Sequence, residues 1–388
     1  MKNCRNNWFY WIVLFMLISP AFSIADELSD LKKKVDQQQK EIDELRQDLE
    51  RLEQSESSGE SMAVKPMFGA NLGLFGDINF TTNSREKSKS SFYIGEADLY
   101  STANYGDRLT FLTEIAIEGD GQGFELDLER LWVGYTFNDL LIVRAGKHHT
   151  ALGHWNKTYH HGKQFFLTVD RPFFMAFEHD GGVLPVHITG MEFEGRWTYD
   201  FARFKYEFNV GNGPRINQST MILAQNNVSD DNSSKQIALR ISGRPNVLGD
   251  LNIGVFGTIF TVDTTQRSDL DEKIYGIDVE YTHNKFELLT EYFRLANSDA
   301  ASSAFYAQVG YNIVEDVTPY VRFESLNRDG DDPYLSNLEG GFDRRQVIAG
   351  VKYDIDVVKS SIKTQYRYDD TDNGNDYNVF EAQWSFGF

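Results

Sequence analysis

Apolar and polar residues alternate in short runs along most of the chain, from Gly69 to Phe388. A period of two is typical of β-strands that have one apolar and one polar face. In one run, for example, Phe193 lies between Glu192 and Glu194. We count about 16 such runs, an even number within the range of membrane barrels. The pattern therefore predicts that this part of the chain is all-β.

The connections between the predicted strands alternate in length. Long polar segments alternate with short turns, which are predicted at Asn138-Asp139, Tyr199-Asp200, His283-Asn284 and Ile355-Asp356. A soluble β-sandwich would not repeat Lys, Arg and Glu on one face of every run, and a propeller would show blade repeats that this sequence lacks. We therefore predict that residues 69–388 form a transmembrane antiparallel β-barrel.

One stretch, residues 148–187, interrupts the alternation and holds seven of the eight histidines. Long segments without a pattern of their own are uncommon and are often functional. A barrel of about 16 strands has a wide bore, so we predict that this stretch folds inward as a pore-constriction loop. The predicted constriction residues are His148, His149, His154, Lys157, His160, His161, Lys163, Asp170, Arg171 and His179.

Two other interpretations of this stretch stay open. Histidines bind Zn²⁺, Cu²⁺ and Ni²⁺, but their spacing here matches no ligand motif, and no metal or cofactor is predicted. A hydrolase needs a nucleophile held against a base, and the stretch contains no serine, so we expect no catalysis. Its aromatic residues are expected to pack against the inner wall: Trp155, Tyr159, Phe165, Phe166, Phe173, Phe174 and Phe177.

The polar faces of the predicted strands carry charges of both signs. The residues predicted to face the lumen are Arg130, Arg196, Arg203, Lys205, Arg240, Glu192 and Glu194. Because the two signs are nearly balanced, the sequence predicts neither anion nor cation selectivity. Histidine titrates near neutral pH, so we expect acidification to shift the selectivity toward anions through His148, His149, His160 and His161.

Three segments precede the predicted barrel. Residues 1–25 combine Lys2 and Arg5 with an apolar run and a small-residue cleavage site after Ala25, the pattern of a secretory signal peptide. Residues 26–54 have apolar residues at alternating spacings of three and four, which predicts a self-associating α-helical coiled coil. Residues 55–68 are a polar linker. The only cysteine, Cys4, lies in the predicted signal peptide, and the net charge of −20 argues against nucleic-acid binding.

Two sequence motifs and the layout resemble a known family. The C-terminal Trp384-Ser385-Phe386-Gly387-Phe388 resembles the assembly signal of Gram-negative outer-membrane proteins. The layout, with a long segment after the fifth strand, resembles that of trimeric sixteen-stranded porins. The segment Arg144-Ala145-Gly146-Lys147, leading to Leu152-Gly153, is similar to the phosphate-selective porin group, and the coiled coil resembles that of dicarboxylate-type porins.

This resemblance implies a homotrimer in the bacterial outer membrane, associated through residues 26–54 in the periplasm and surrounded by lipid and lipopolysaccharide. It implies a water-filled porin channel for ion transport and for passive diffusion of small polar or anionic solutes. A substrate-specific channel for sugars or metal complexes is the alternative, and a barrel-borne enzyme is a further one.

Overall fold

The computed structural model describes residues 68–388 except 86–88, 120–122, 161, 225–227, 231, 247–249, 357–358 and 373–375. Within these residues, sixteen antiparallel strands form one closed barrel, in which consecutive strands pair and the last strand pairs with the first. The predicted all-β antiparallel barrel is therefore confirmed. The predicted signal peptide (1–25), coiled coil (26–54) and, apart from Phe68, linker (55–68) lie outside the described residues.

The strands follow one another in chain order around the barrel. Two short strands, β8 (Ile216–Asn217) and β9 (Ile222–Leu223), pair with each other in the long connection after β7. The barrel strands are β1 (Phe68–Asn83), β2 (Ser91–Tyr105), β3 (Leu109–Gly119), β4 (Phe124–Asn138), β5 (Leu141–His149), β6 (His187–Tyr199), β7 (Ala202–Asn212), β10 (Lys235–Pro245), β11 (Asp250–Val262), β12 (Leu270–His283), β13 (Phe286–Ala296), β14 (Ala301–Tyr311), β15 (Val317–Asn327), β16 (Arg344–Ile355), β17 (Ser360–Thr371) and β18 (Tyr377–Gly387).

Short turns and longer connections alternate around most of the barrel, as the sequence predicts. The prediction is wrong at β14, where the connection expected to be long (297–300) is shorter than the next one (312–316). The barrel closes near the short-turn end, where the N–H of Leu74 donates to the carbonyl of Phe388 at 3.2 Å and the N–H of Phe388 donates back at 2.8 Å. In the part of the chain that the structure describes, no helix has the length and apolar character needed to cross a membrane.

The outward face of the barrel is apolar and exposed. On β4, for example, Leu126 is 70% exposed and Leu131 is 50% exposed, whereas Asp127 and Glu129 on the inward face are buried. Apolar surface costs about 25 cal/mol per Å² in water, and soluble monomers rarely expose large apolar patches. A continuous apolar outer face is therefore stable in the hydrocarbon of a bilayer.

The inward face is polar on one side of the barrel and apolar on the other, which the alternation did not predict. On β1 to β4 the inward positions hold buried carboxylates. On β11 to β15 many inward positions are apolar and belong to one buried cluster: Phe256, Phe260, Ile274, Leu289, Phe293, Tyr306 and Leu326. Strands such as β11 therefore have apolar residues on both faces, because protein rather than water covers the inner one.

Candidate functional site

The segment between β5 and β6 lies inside the barrel. Its observed bounds are 150 and 186 rather than 148 and 187, because His149 and His187 pair with each other at the ends of the two strands. Histidines at strand ends do not continue the alternation of apolar and polar residues. The predicted loop is therefore two residues too long at its start and one residue too long at its end. We call residues 150–186 the inner loop. It contains helix α1 (His154–Thr158) and three single-turn 3₁₀ helices, Lys163–Phe165, Phe173–Met175 and Glu178–Asp180.

Glycines allow the inner loop to turn inside the barrel. Gly153, Gly162 and Gly181 have φ angles of 77°, 36° and 82°, in the left-handed region that favours glycine. Gly153 comes directly before α1, and a Cβ at this position would lie 2.0 Å from Oε2 of Glu291. Position 153 therefore requires glycine, because a side chain there would clash with Glu291 on the wall.

Helix α1 is anchored to three strands. The N–H of Trp155 donates to Oε1 of Glu291 on β13 at 2.7 Å. Nζ of Lys157 lies 2.6 Å from Oε2 of Glu192 on β6 and 3.4 Å from Oε1 of Glu207 on β7. Burial disfavours the charged form of Lys157, but the charges of Glu192 and Glu207 outweigh burial and raise its pKa. The ammonium therefore stays protonated at neutral pH.

The middle of the inner loop reaches the strands around the barrel closure. Nζ of Lys163 lies 3.4 Å from Oδ1 of Asp77 on β1. Burial opposes the charge on Lys163, but neighbouring carboxylates, Asp77 first among them, raise its pKa. Lys363 on β17 donates to the carbonyl of Lys163 and, at 3.1 Å, to that of Thr168. The inner loop therefore extends from β6 and β7 to β1 and β17, across the bore.

The last part of the inner loop contacts β15 at Asp170 to Phe173 and β3 at His179. The guanidinium of Arg171 lies 3.7 Å from the centroid of the Phe177 ring and donates to the carbonyl of His160. Burial lowers the pKa of Arg171 in spite of nearby carboxylates. Nε2 of His179 lies 2.8 Å from Oε2 of Glu118 on β3. Burial opposes protonation of His179, but the contact with Glu118 and other carboxylates raise its pKa to about 9.

Most aromatic residues of the inner loop pack against the apolar side of the wall, as predicted. Tyr159 and Phe173 pack against the buried cluster, and four others belong to it: Trp155, Phe166, Phe174 and Phe177. The prediction is wrong for Phe165, which is 68% exposed. Its ring borders the larger cavity, while the backbone of its short helix is hydrogen-bonded to Ser361 and Lys363 on β17.

A cavity lies on each side of the inner loop. The larger one, about 550 Å³, reaches the short-turn end of the barrel at Lys359 and Phe388. The smaller one, about 380 Å³, is bordered by Arg171, His179 and charged residues of the strands. His160 borders both cavities. The inner loop therefore narrows the lumen, and His160 lies where the two cavities approach each other.

The structure distributes the predicted constriction residues among several places. His148 and His154 are buried and border neither cavity, and His154 Nε2 lies 3.4 Å from Glu280. His161 lies outside the described residues. The residues on the smaller cavity are Lys163, Asp170, Arg171 and His179, and those on the larger one are His149 and Lys157.

The charged residues predicted to face the lumen mostly pair with charges of opposite sign on neighbouring strands and on the inner loop. Glu192, Glu194 and Arg240 are buried inside the barrel, and Arg203 is exposed near the start of β7. The pairs formed by the others, with N–O distances up to 3.4 Å, are Arg130 with Glu114, Arg196 with Glu194, and Lys205 with Glu194 and Glu207. The buried charges Glu192, Glu194 and Arg240 are therefore neutralised within the wall, whereas Arg130, which borders the larger cavity, and the partly exposed Arg196, Arg203 and Lys205 can still face a solute.

An acidic wall on β1, β2 and β4 was not among the predicted site residues. It consists of the buried side chains of Asp77, Glu96, Asp98, Asp127 and Glu129. The signal is visible in the sequence, since each of these carboxylates alternates with apolar residues in its strand. What the sequence does not indicate is that the cation facing Asp77 and Glu96, Lys163, comes from the inner loop, whereas Asp127 is faced by Lys147 on β5.

No family model and no curated protein matches the chain, but solved structures do. An anion-selective porin from Comamonas acidovorans is 11% identical with a TM-score of 0.59, over 83% of this chain and 100% of that one. Salmonella typhi OmpF, in a complex with daunomycin, is 11% identical with a TM-score of 0.57, over 82% and 97%. OmpT, an outer membrane protein of Vibrio cholerae in a trimer form, is 13% identical with a TM-score of 0.52, over 82% and 100%.

At these identities the likeness is one of fold. The chain has the closed 16-stranded barrel of outer-membrane porins, as its sequence layout predicts.

Proposed function

We propose that the protein is a passive, water-filled channel of the bacterial outer membrane for small polar or anionic solutes. The observation that carries this proposal is the pair of cavities, about 550 and 380 Å³, on the two sides of the inner loop in a closed barrel. Cavities of this size that are bordered by charged side chains, such as Arg130 and Lys157 in the larger one and Arg171 and His179 in the smaller one, hold water. A passage beside His160 would admit small solutes and exclude large ones.

The charges on the smaller cavity favour a weak preference for anions. Five cationic side chains border it: Lys163, Arg171, Arg322, Arg344 and Arg367. Five carboxylates also border it: Glu96, Glu118, Glu125, Asp170 and Asp180. His179, with its pKa of about 9, adds a further positive charge at neutral pH. Fixed positive charge in a pore favours anions, and one protein of similar fold is an anion-selective porin.

Reconstitution into planar bilayers tests the proposal. We expect stepwise, ohmic conductance and, in a KCl gradient, a reversal potential displaced toward that of chloride. The variant His179→Gln should reduce this displacement while the conductance persists. Correctly folded protein without channel activity would contradict the proposal and favour a structural anchor or a barrel-borne enzyme. Block of the current by a sugar or a metal complex would favour the substrate-specific alternative.

We infer further that the protein is a homotrimer that associates through residues 26–54. The heptad pattern of this segment supports self-association. On the outer face of β2 to β5, a depression of about 420 Å³ is bordered by small residues such as Ser101, Ala103 and Ala145, which suits close packing of another subunit. The OmpT of similar fold occurs in a trimer form.

Deletion of residues 26–54 tests this assembly. The variant trimer should dissociate at a lower temperature in detergent than the full chain, while its barrel stays folded. A monomeric mass for the intact protein in native mass spectrometry would contradict the inference.

A further inference from the structure

Three histidines and one glutamate meet where the inner loop contacts the wall. Glu129 lies on β4, His149 on β5, His187 on β6 and His160 on the inner loop. All four side chains are buried, with at most 6% of their surface exposed. The nitrogens that the three histidines could offer a metal ion lie within 4.8 Å of one another. We call these four residues the His-Glu cluster.

Asn156 fixes the tautomer of His160. Its Nδ2 donates to the carbonyls of Thr150 at 3.0 Å and Val186 at 2.9 Å, which can only accept. Oδ1 of Asn156 therefore faces Nδ1 of His160, at 2.7 Å, and Nδ1 must carry the hydrogen. In a neutral imidazole the other nitrogen, Nε2, then has a lone pair.

Glu178 fixes the tautomer of His187 in the same way. Its Oε1 accepts the backbone N–H of His187 at 3.0 Å, and its Oε2 lies 3.0 Å from Nδ1 of the ring. Since Oε1 accepts the backbone N–H, Oε2 of the same carboxylate faces Nδ1 and accepts a hydrogen bond from it. In a neutral ring this leaves the lone pair on Nε2. A carboxylate behind an imidazole is a common support for a metal-binding histidine.

Three acceptor atoms therefore converge in the His-Glu cluster. The Nε2 atoms of His160 and His187 are 2.9 Å apart. Oε2 of Glu129 lies 2.8 Å from Nε2 of His187 and 4.0 Å from Nε2 of His160. Lone pairs that face one another at these distances repel unless a cation lies between them. A metal ion can supply this cation, and an additional proton on one ring is the alternative.

We propose that the His-Glu cluster binds a divalent transition-metal ion of the Zn²⁺ type, with His160, His187 and Glu129 as ligands and His149 as the fourth. Zn²⁺ favours four imidazole and carboxylate ligands at about 2.0–2.2 Å, which places ligand atoms roughly 3.3 Å apart. The observed distances of 2.8 to 4.0 Å differ little from this value. The ring of His149, stacked on that of His160 with centroids 3.6 Å apart, has to rotate to coordinate.

The location of the His-Glu cluster lets an ion enter from the cavities and lets a bound ion hold the inner loop against the wall. His160 borders both cavities and His149 borders the larger one, so an ion can enter from water. Because three ligands lie on β4, β5 and β6 and one lies on the inner loop, a bound ion ties the loop to the wall. The inference concerns binding alone and does not depend on solute transport.

Metal titration of the full chain, folded in detergent, tests the site. After treatment with EDTA, one equivalent of Zn²⁺ per chain should bind in isothermal titration calorimetry. Co²⁺ in its place should give the strong visible absorption of a tetrahedral site. Folded wild-type protein that binds no stoichiometric Zn²⁺ would overturn the proposal and assign the cluster to an additional proton.

Single substitutions assign the ligands. His160→Gln and His187→Gln should each weaken Zn²⁺ binding by at least about 10-fold, since each removes a ligand. His179→Gln is the matched control, because His179 belongs to the same loop but pairs with Glu118. This variant should bind Zn²⁺ with the affinity of wild type. Gel mobility before and after heating checks that each barrel is folded. Undiminished binding by both cluster variants, or an equal loss in the control, would overturn the assignment.

Discussion

Replacement of Lys157 by Met tests how the inner loop is held in the bore. The substitution removes the ammonium, which lies 2.6 Å from Glu192 and 3.4 Å from Glu207, and keeps most of the apolar stem. Both carboxylates are buried, with 4% and 1% of their side chains exposed. We expect the inner loop of Lys157→Met to detach from β6 and β7 far more often than that of wild type, because two buried carboxylates lose a cation.

The size of this effect follows from the contacts that remain. Removal of one partner of a buried ion pair typically costs about 3 to 5 kcal/mol. Here Glu192 keeps Arg144 at 2.6 Å and Glu207 keeps Lys205 at 2.9 Å, so we expect about 2 to 3 kcal/mol. With about 1.4 kcal/mol for each factor of ten, the detached population should rise about 30- to 150-fold. Because the pKa of Lys157 is raised, its contribution is present at every pH below about 10 and the effect should not vary near neutrality.

A spin label on the inner loop measures the detached population. Phe165→Cys provides the attachment point, since this side chain is 68% exposed, and a chain without the predicted signal peptide has no other cysteine. The mobile fraction in the EPR spectrum should increase in Lys157→Met. The matched control is Lys205→Met, which lies next to the same carboxylate, Glu207, but whose side chain is 35% exposed, so its loss should cost about 0 to 1 kcal/mol. Identical spectra for wild type and Lys157→Met, or an equal increase in Lys205→Met, would refute this reasoning.

Three further predictions concern the inner loop and the histidines next to it. Trp155→Ala should weaken loop packing by about 3 to 5 kcal/mol, because its side chain is 1% exposed, whereas Phe165→Ala should change it by less than about 0.5 kcal/mol; hydrogen exchange of the loop compares the two. Because the pKa of His179 is raised, the His179–Glu118 contact should be complete below about pH 6.5 and lost as the pH rises through about 9. The spin label at position 165 should become more mobile over this pH range. His179→Gln should abolish this dependence on pH. We expect protonation of histidines to shift the selectivity toward anions between about pH 7 and 5. Reversal potentials should lose this shift in the variant with Gln in place of His148, His149, His160 and His161. An unchanged shift would mean that charges on the strands cause it.

The barrel could be predicted from the sequence because each strand carries its own signal. In β18, Phe380 and Trp384 face outward and are exposed, while Glu381 and Gln383 face inward and are buried. A membrane requires this apolar outer face in every strand, whatever the interior of the barrel contains. The turn at Asn138-Asp139 is equally local. Strand number, order and turn positions therefore follow from short-range patterns.

The interior of the inner loop could not be predicted in this way, because distant residues determine it. Helix α1 has only five residues, too few for a stable helix alone. Its place depends on Glu291, a residue of β13 that accepts from the N–H of Trp155. The His-Glu cluster likewise needs the pairing of His149 with His187 and a ring of the loop between them. No spacing of histidines along the sequence indicates this arrangement.

The same dependence explains why inward charges in the sequence do not predict selectivity. Lys363 is inward-facing, yet its ammonium does not point freely into the bore. It donates hydrogen bonds to backbone carbonyls of the inner loop and to Gln383. Glu192 is inward-facing, yet Lys157 and Arg144 neutralise it. A barrel that folds a long loop into its lumen uses many of its polar groups to satisfy the polar groups of that loop, since unpaired ones would be costly there. In the proposed channel, selectivity would therefore depend on the charges that still border the cavities after this pairing, and the folded inner loop determines which ones they are.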